Sequence, residues 1–93
     1  MTRLIICHKV ESFSRWHFVY PTLDAAKAKA KFESERMLRA LKDINQIVLI
    51  FDVVDDGAAN EFAEIYIEKM RASGQIVDEP VTYLVATSDK PAF

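Results

Sequence analysis

The stretch His8 to Tyr20, HKVESFSRWHFVY, holds both histidines and the only tryptophan of the 93-residue chain. An imidazole titrates near neutrality, so either histidine is equipped to move a proton. Tryptophan and tyrosine join an apolar body to a polar handle, which suits a pocket wall. Phe13, Trp16, His17 and Tyr20 fall at i, i+3, i+4 and i+7, the spacing of one helix face. Two readings of that face follow. In one, Phe13, Trp16 and Tyr20 are core and cover a sheet. In the other, part of the face lines a cavity between helix and sheet. Both hold if Phe13 is core while Trp16 and Tyr20 stand at a rim.

The elements that must position these residues are legible in order. Residues 3–10, RLIICHKV, are β-branched and apolar, as expected of a strand. Alternation puts Leu4, Ile6, His8 and Val10 on one face, and Arg3, Ile5, Cys7 and Lys9 on the other. Ser12 is a fitting N-cap for the helix that follows. Pro21 lacks a donor and should stop or kink that helix. Thr22-Leu23-Asp24 restarts it into an alanine-rich run whose alternating lysines read as a solvated face. Residues 31–41, KFESERMLRAL, carry helix formers yet also alternate. Local signals alone favour a helix from Thr22 to Leu41.

Asp43 and Asn45 mark a turn. Residues 46–54, QIVLIFDVV, are the clearest strand, apolar on both faces. Asp55-Asp56-Gly57 combines a turn with an aspartate N-cap. Ala58 to Ser73 is amphipathic, with Phe62, Ile65, Tyr66, Lys69 and Met70 at helical spacing. Gly74 is then a suitable C′ residue. Residues 75–80 read as a loop and 81–87, VTYLVAT, as a last strand. The tail 88–93 is expected to be mobile or to reach a neighbour.

Length sets one domain, 1–93, whose small size limits the surface it can bury alone. Net charge is −2, from 14 acidic and 12 basic residues. That balance gives no general attraction for nucleic acid or anionic membranes. Cys7 is the only cysteine and reads as a reduced thiol in a cytoplasmic protein. Neither a leader nor a membrane span is expected. Two histidines and one cysteine lack zinc-ligand spacing, so no metal is expected. No glycine-rich loop precedes a helix to cradle nucleotide phosphates. No local Ser-His-Asp motif is present.

Several weak motifs, taken in order and spacing, resemble a known family. They are the strand ending His8-Lys9-Val10 before Ser12-Phe13 and Trp16, and Asp43-Ile44-Asn45-Gln46-Ile47-Val48 leading to Phe51-Asp52-Val53. Asp55-Asp56 and Ser73-Gly74-Gln75-Ile76-Val77 complete the set. The pattern, over about residues 3–87, is similar to the dimeric α/β-barrel superfamily, in the branch near antibiotic-biosynthesis monooxygenases and small polyketide cyclases. The resemblance implies an α+β, ferredoxin-like β-α-β-β-α-β chain. Its antiparallel sheet carries two helices on one face and packs its other face on a partner's sheet. Carried over, the strands are 3–10, 32–41, 46–54 and 81–87, and the helices 12–30 and 57–73. Related chains often have glycine where this one has Lys31, so the first helix is expected to end differently here.

The resemblance also implies a small-molecule cavity between sheet and helices, lined by His8, Trp16, His17, Tyr20, Tyr66 and Tyr83. His8 would be the base. His17 is equally read as facing water beside Lys27. Arg36 and Arg39 suit an anionic substrate unless one of them pairs with Glu33 or Glu35. Haem-degrading relatives rely on a histidine in the second helix, and 57–73 contains none. No cofactor is therefore expected. Three functions are open: a cofactor-free monooxygenase or cyclase acting on an aromatic or polyketide-like compound, a non-catalytic binding or stress-response module, and a dimeric scaffold. The expected partners are a second copy of the chain and a small apolar or aromatic ligand.

Overall fold

The computed structural model describes residues 2–86. Four strands, β1 (Thr2–Lys9), β2 (Ser34–Arg39), β3 (Gln46–Val53) and β4 (Val81–Ala86), form one antiparallel sheet in the order β2-β3-β1-β4. Three helices, α1 (Phe13–Val19), α2 (Asp24–Ala30) and α3 (Asp56–Ala72), cover one face. The expected order β-α-β-β-α-β is present, with the first helix divided. Pro21 sits in a 3₁₀ turn, Tyr20–Leu23, between α1 and α2, because proline cannot donate into the helix it interrupts. The tail 88–93 and Thr87, the expected end of β4, lie outside the described residues. No helix among those described is long and apolar enough to cross a membrane.

Alternation on the two central strands sets the core. Leu4, Ile6 and His8 of β1 and Ile47, Leu49, Phe51 and Val53 of β3 are buried beneath the helices. They meet Trp16, Leu23, Phe62, Tyr66 and Met70 from above. Antiparallel partners share a face, so Ile5, paired with Ile50 and Tyr83, stands on the opposite side of the sheet.

Residues 31–41 correct the local helix reading and agree with the strand that the resemblance implies. Two long-range contacts decide it. The Phe32 ring stacks on Phe51 at 4.4 Å between centroids and meets Phe62 edge-on at 5.2 Å. Beyond it, Ser34 to Arg39 pair with Asp52 to Ile47. The strand's backbone bonds therefore come from β3, which no local propensity can report.

Lys31 corrects a second expectation. The helix ends where glycine would end it, with Lys31 itself at φ 58, ψ 41 and its N–H bonded to Lys27 and Ala28 carbonyls. A side chain in the left-handed region costs roughly 1–2 kcal/mol. Lys31→Gly is therefore expected to stabilise the domain by about 1 kcal/mol after glycine's greater unfolded-state entropy is counted. A melting temperature raised by about 4–8 °C would register it; no rise would mean that the strain is relieved elsewhere.

Candidate functional site

β1 and α3 supply the centre of the site, and α1 closes over it. The Tyr66 hydroxyl lies 2.6 Å from His8 Nε2 and 2.8 Å from Trp16 Nε1. An indole N–H only donates. Tyr66 accepts from Trp16; burial favours neutral His8, and a carbonyl facing Nδ1 calls for the hydrogen there, so Tyr66 donates its single proton to His8 Nε2. His8 Nδ1 then carries the hydrogen, 3.2 Å from the Lys9 carbonyl. His8, Trp16 and Tyr66 are 1 %, 1 % and 0 % exposed. The space between α1 and the sheet is filled by side chains, and every polar atom of this trio has a partner.

The aromatic row runs outward from this trio. Phe13 stacks on Trp16 at 5.6 Å and Trp16 on Tyr20 at 4.7 Å. Tyr20 meets Tyr66 edge-on at 6.2 Å. Its hydroxyl donates to Glu35 at 2.6 Å, and Lys27 closes the same carboxylate at 3.0 Å. Burial and the Glu35 charge push the Tyr20 hydroxyl well above its ordinary range. Burial alone would raise Glu35, but the bonds from Tyr20 and Lys27 hold it below the usual carboxylate value.

These positions change several expectations. Trp16 is core while Phe13 and Tyr20 are half-buried, so of the rim arrangement only Tyr20 keeps its place. His17 is exposed, with its ring beside Phe13 and Trp16 and outside the buried trio. Tyr83 stands on the opposite face of the sheet, 54 % exposed, and lines nothing with the others. Lys27 is not solvated: its side chain is only 18 % exposed and lies 4.4 Å over the Tyr20 ring. Among the described residues neither Arg36 nor Arg39 pairs with Glu33 or Glu35, since Lys27 holds Glu35.

Two contributors escaped the sequence reading. Gln75, 1 % exposed, accepts from the Ser12 N–H at 3.2 Å. Asp78 accepts from the Lys9 N–H at 2.9 Å. Together they tie the loop after α3 to the end of β1, beside His8. One glutamine and one aspartate in a polar loop carry no local signal of such a role. Gly74, at φ 78, was the visible part, because it turns the chain out of α3 toward that contact.

Burial pushes the His8 pKa below its ordinary value, opposed by the Lys9 and Gln75 carbonyls and by the Asp78 charge. The unfolded chain then binds more protons than the folded one, so stability rises with pH. Its contribution is complete above about 6.5, the unfolded value, and is lost as pH falls through the lower folded value. The melting temperature is expected to drop between pH 7 and 5, above the window in which carboxylates titrate. His8→Gln retains an acceptor for Tyr66 and should flatten that slope; an equal slope would assign the proton elsewhere.

Among the described residues no three His, Cys, Asp or Glu side chains gather as a metal site. No family model and no curated protein matches the chain. Solved structures do. An antibiotic biosynthesis monooxygenase aligns with TM-score 0.66 at 14 % identity, over 95 % of this chain and 99 % of that one. SnoaB, a cofactor-independent oxygenase from Streptomyces nogalater, aligns with TM-score 0.66 at 15 % identity, over 97 % of each chain. A conserved protein from Methanosarcina mazei Go1 gives TM-score 0.73 at 12 % identity, over 94 % of this chain and 92 % of that one. Similarity at this level is similarity of fold, and this chain has the ferredoxin-like α+β fold of the antibiotic biosynthesis monooxygenase structures.

Proposed function

We propose that this protein binds a small aromatic or polyketide-like compound and acts on it as a cofactor-free monooxygenase or cyclase. The observation that carries the reading is the chain Trp16–Tyr66–His8. Apolar side chains would fill that part of the core with no polar demand. Here three polar groups are buried and matched to one another, with an unprotonated imidazole nitrogen at the inner end. Such a network is kept where its chemistry is used or where it specifies one packing. A substrate hydroxyl that displaces Tyr20 would meet the Tyr66 oxygen. Tyr66 would take that proton and pass its own to His8, leaving an electron-rich anion to react with dioxygen or to cyclise. Trp16 and Tyr20 would hold the ring. Access would require Tyr20, half-buried and held by Glu35, to swing aside.

The fold supports this reading, since SnoaB is described as a cofactor-independent oxygenase. The chain would work as a homodimer, packed through the sheet face opposite the helices. A cytoplasmic location belongs to the same reading, supported by a single free cysteine, Cys7, whose pKa burial raises.

Oxygen uptake, without added cofactor, over a panel of phenolic two- and three-ring compounds tests the proposal. His8→Ala should bind the active compound but turn it over at least about a hundredfold more slowly. Circular dichroism of the variant checks that it folds. Turnover that survives in His8→Ala removes His8 as the base. Binding by the wild type with no oxygen uptake leaves the non-catalytic binding module. A second reading, the dimeric scaffold, is favoured by the filled space between α1 and the sheet, and it would stand if no compound bound.

A further inference from the structure

We infer that the groove at the start of α1 takes the negatively charged end of an aromatic ligand, and that Arg39 reads that charge. The inference rests on the small-molecule reading above and names its ligand class. The row Phe13–Trp16–Tyr20 has a groove at each end, and the two differ in charge. At the Tyr20 end, a groove of about 230 Å³ holds Lys27, whose charge is already met by Glu35 at 3.0 Å and Asp24 at 3.5 Å. At the Phe13 end, a groove of about 450 Å³ holds Arg39 together with Ser14, Ile44 and Asn45. Arg39 forms no ion pair among the described residues, although Glu11 lines the same groove.

Arg39 is also held in place. Its guanidinium carbon lies 3.6 Å from the Phe13 ring centroid, and its Nε donates to the Ile44 carbonyl at 2.8 Å. The contact with the ring and the Nε bond together restrain the guanidinium. The remaining N–H donors form the planar fork that matches a carboxylate or an ionised phenol or enol. Orientation before binding reduces the entropy lost on binding. Phe13 and Ile44 give the same groove apolar surface, which a small inorganic ion would leave unused. An aromatic anion satisfies both parts. Its ring would lie in the groove itself, against Phe13 and Ile44.

Two isosteric probes test this by titration calorimetry: 2-naphthoate, which is anionic, and 2-naphthamide, which is neutral. The wild type is expected to bind naphthoate about tenfold more tightly. Arg39→Gln should abolish that preference, so that the two probes bind equally. Arg39→Lys should keep a reduced preference, because it restores charge without the planar fork. Glu11→Gln should widen the preference. If Arg39→Gln, folded by circular dichroism, still prefers naphthoate, Arg39 is not the reader and the inference is overturned. Equal binding of both probes by the wild type also overturns it, while the small-molecule reading stands. Failure of both probes to bind at millimolar concentration removes the inference and counts against the small-molecule reading with it.

Discussion

Tyr66→Phe is expected to destabilise the domain by about 3 kcal/mol, although it deletes a single oxygen. The cavity left is small, so packing accounts for little of the effect. The polar side dominates. Trp16 Nε1 and His8 Nε2 both lose their partner in a region that water does not reach. Each unsatisfied buried group costs about 1–3 kcal/mol. For a domain of this size the loss corresponds to a melting temperature lower by about 10–20 °C. Urea titration should show a lower midpoint with an unchanged slope, since the surface exposed on unfolding hardly differs. The same change made in a Trp16→Phe background should cost less, because only His8 is then orphaned. Additivity of the two substitutions would mean that the three groups do not act as one network.

If the chain forms the proposed homodimer, Val48→Lys is expected to convert it into a folded monomer. Val48 lies on the sheet face opposite the helices, paired with Cys7 of β1 and Leu38 of β2. That face also presents Tyr83, Val81 and Val85, 54 %, 42 % and 36 % exposed, on a sheet with no second layer of its own. Apolar side chains exposed on that face are what the proposed homodimer would bury. Its charges sit toward the two ends, with Arg3 and Ser34 on Asp52 at 2.9 and 2.6 Å beside Arg36 at one and Lys9 on Asp43 at 3.1 Å at the other. A lysine at mid-face would be desolvated between two sheets without a partner, which costs several kcal/mol and weakens association about a thousandfold or more. The monomer itself tolerates the change, because the new side chain is free to reach water. Sedimentation should give twice 10.6 kDa for the wild type at micromolar concentration and 10.6 kDa for the variant. A wild type that sediments as the smaller species ends the dimer reading.

How far the sequence carries depends on the range of the interaction that decides each feature. Nearest-neighbour chemistry was legible. Alternation placed Leu4, Ile6 and His8 on the buried face of β1, and Ile47, Leu49 and Phe51 on that of β3. Pro21 marked the break between α1 and α2. Asp55 capped α3 by accepting from the Ala58 N–H, and Gly74 ended it. The resemblance carried the strand at β2 against the local preference for helix.

What failed at sequence level was decided by contacts between distant residues. Phe32 on Phe51 and Phe62, with the β3 ladder, made a strand of a helix-forming segment. Lys31 takes a left-handed conformation because that strand must start where it does. Lys27 left solvent for Tyr20 and Glu35, and that pairing left Arg39 without a carboxylate. Tyr83 fell on the far face because pairing with Ile5 fixes its side, and no pattern within β4 can state which face of a sheet the helices will cover. His8, Trp16 and Tyr66 were each nameable from sequence as polar groups on apolar faces. That one hydroxyl joins all three follows only from α1 and α3 packing on β1, since residues 50 and 58 positions apart meet through tertiary structure alone. Sequence by itself determined the elements and their buried faces, because those depend on periodicity and capping. Tertiary structure decided which polar groups meet and where charge is left unpaired, because burial makes each such group depend on partners far along the chain.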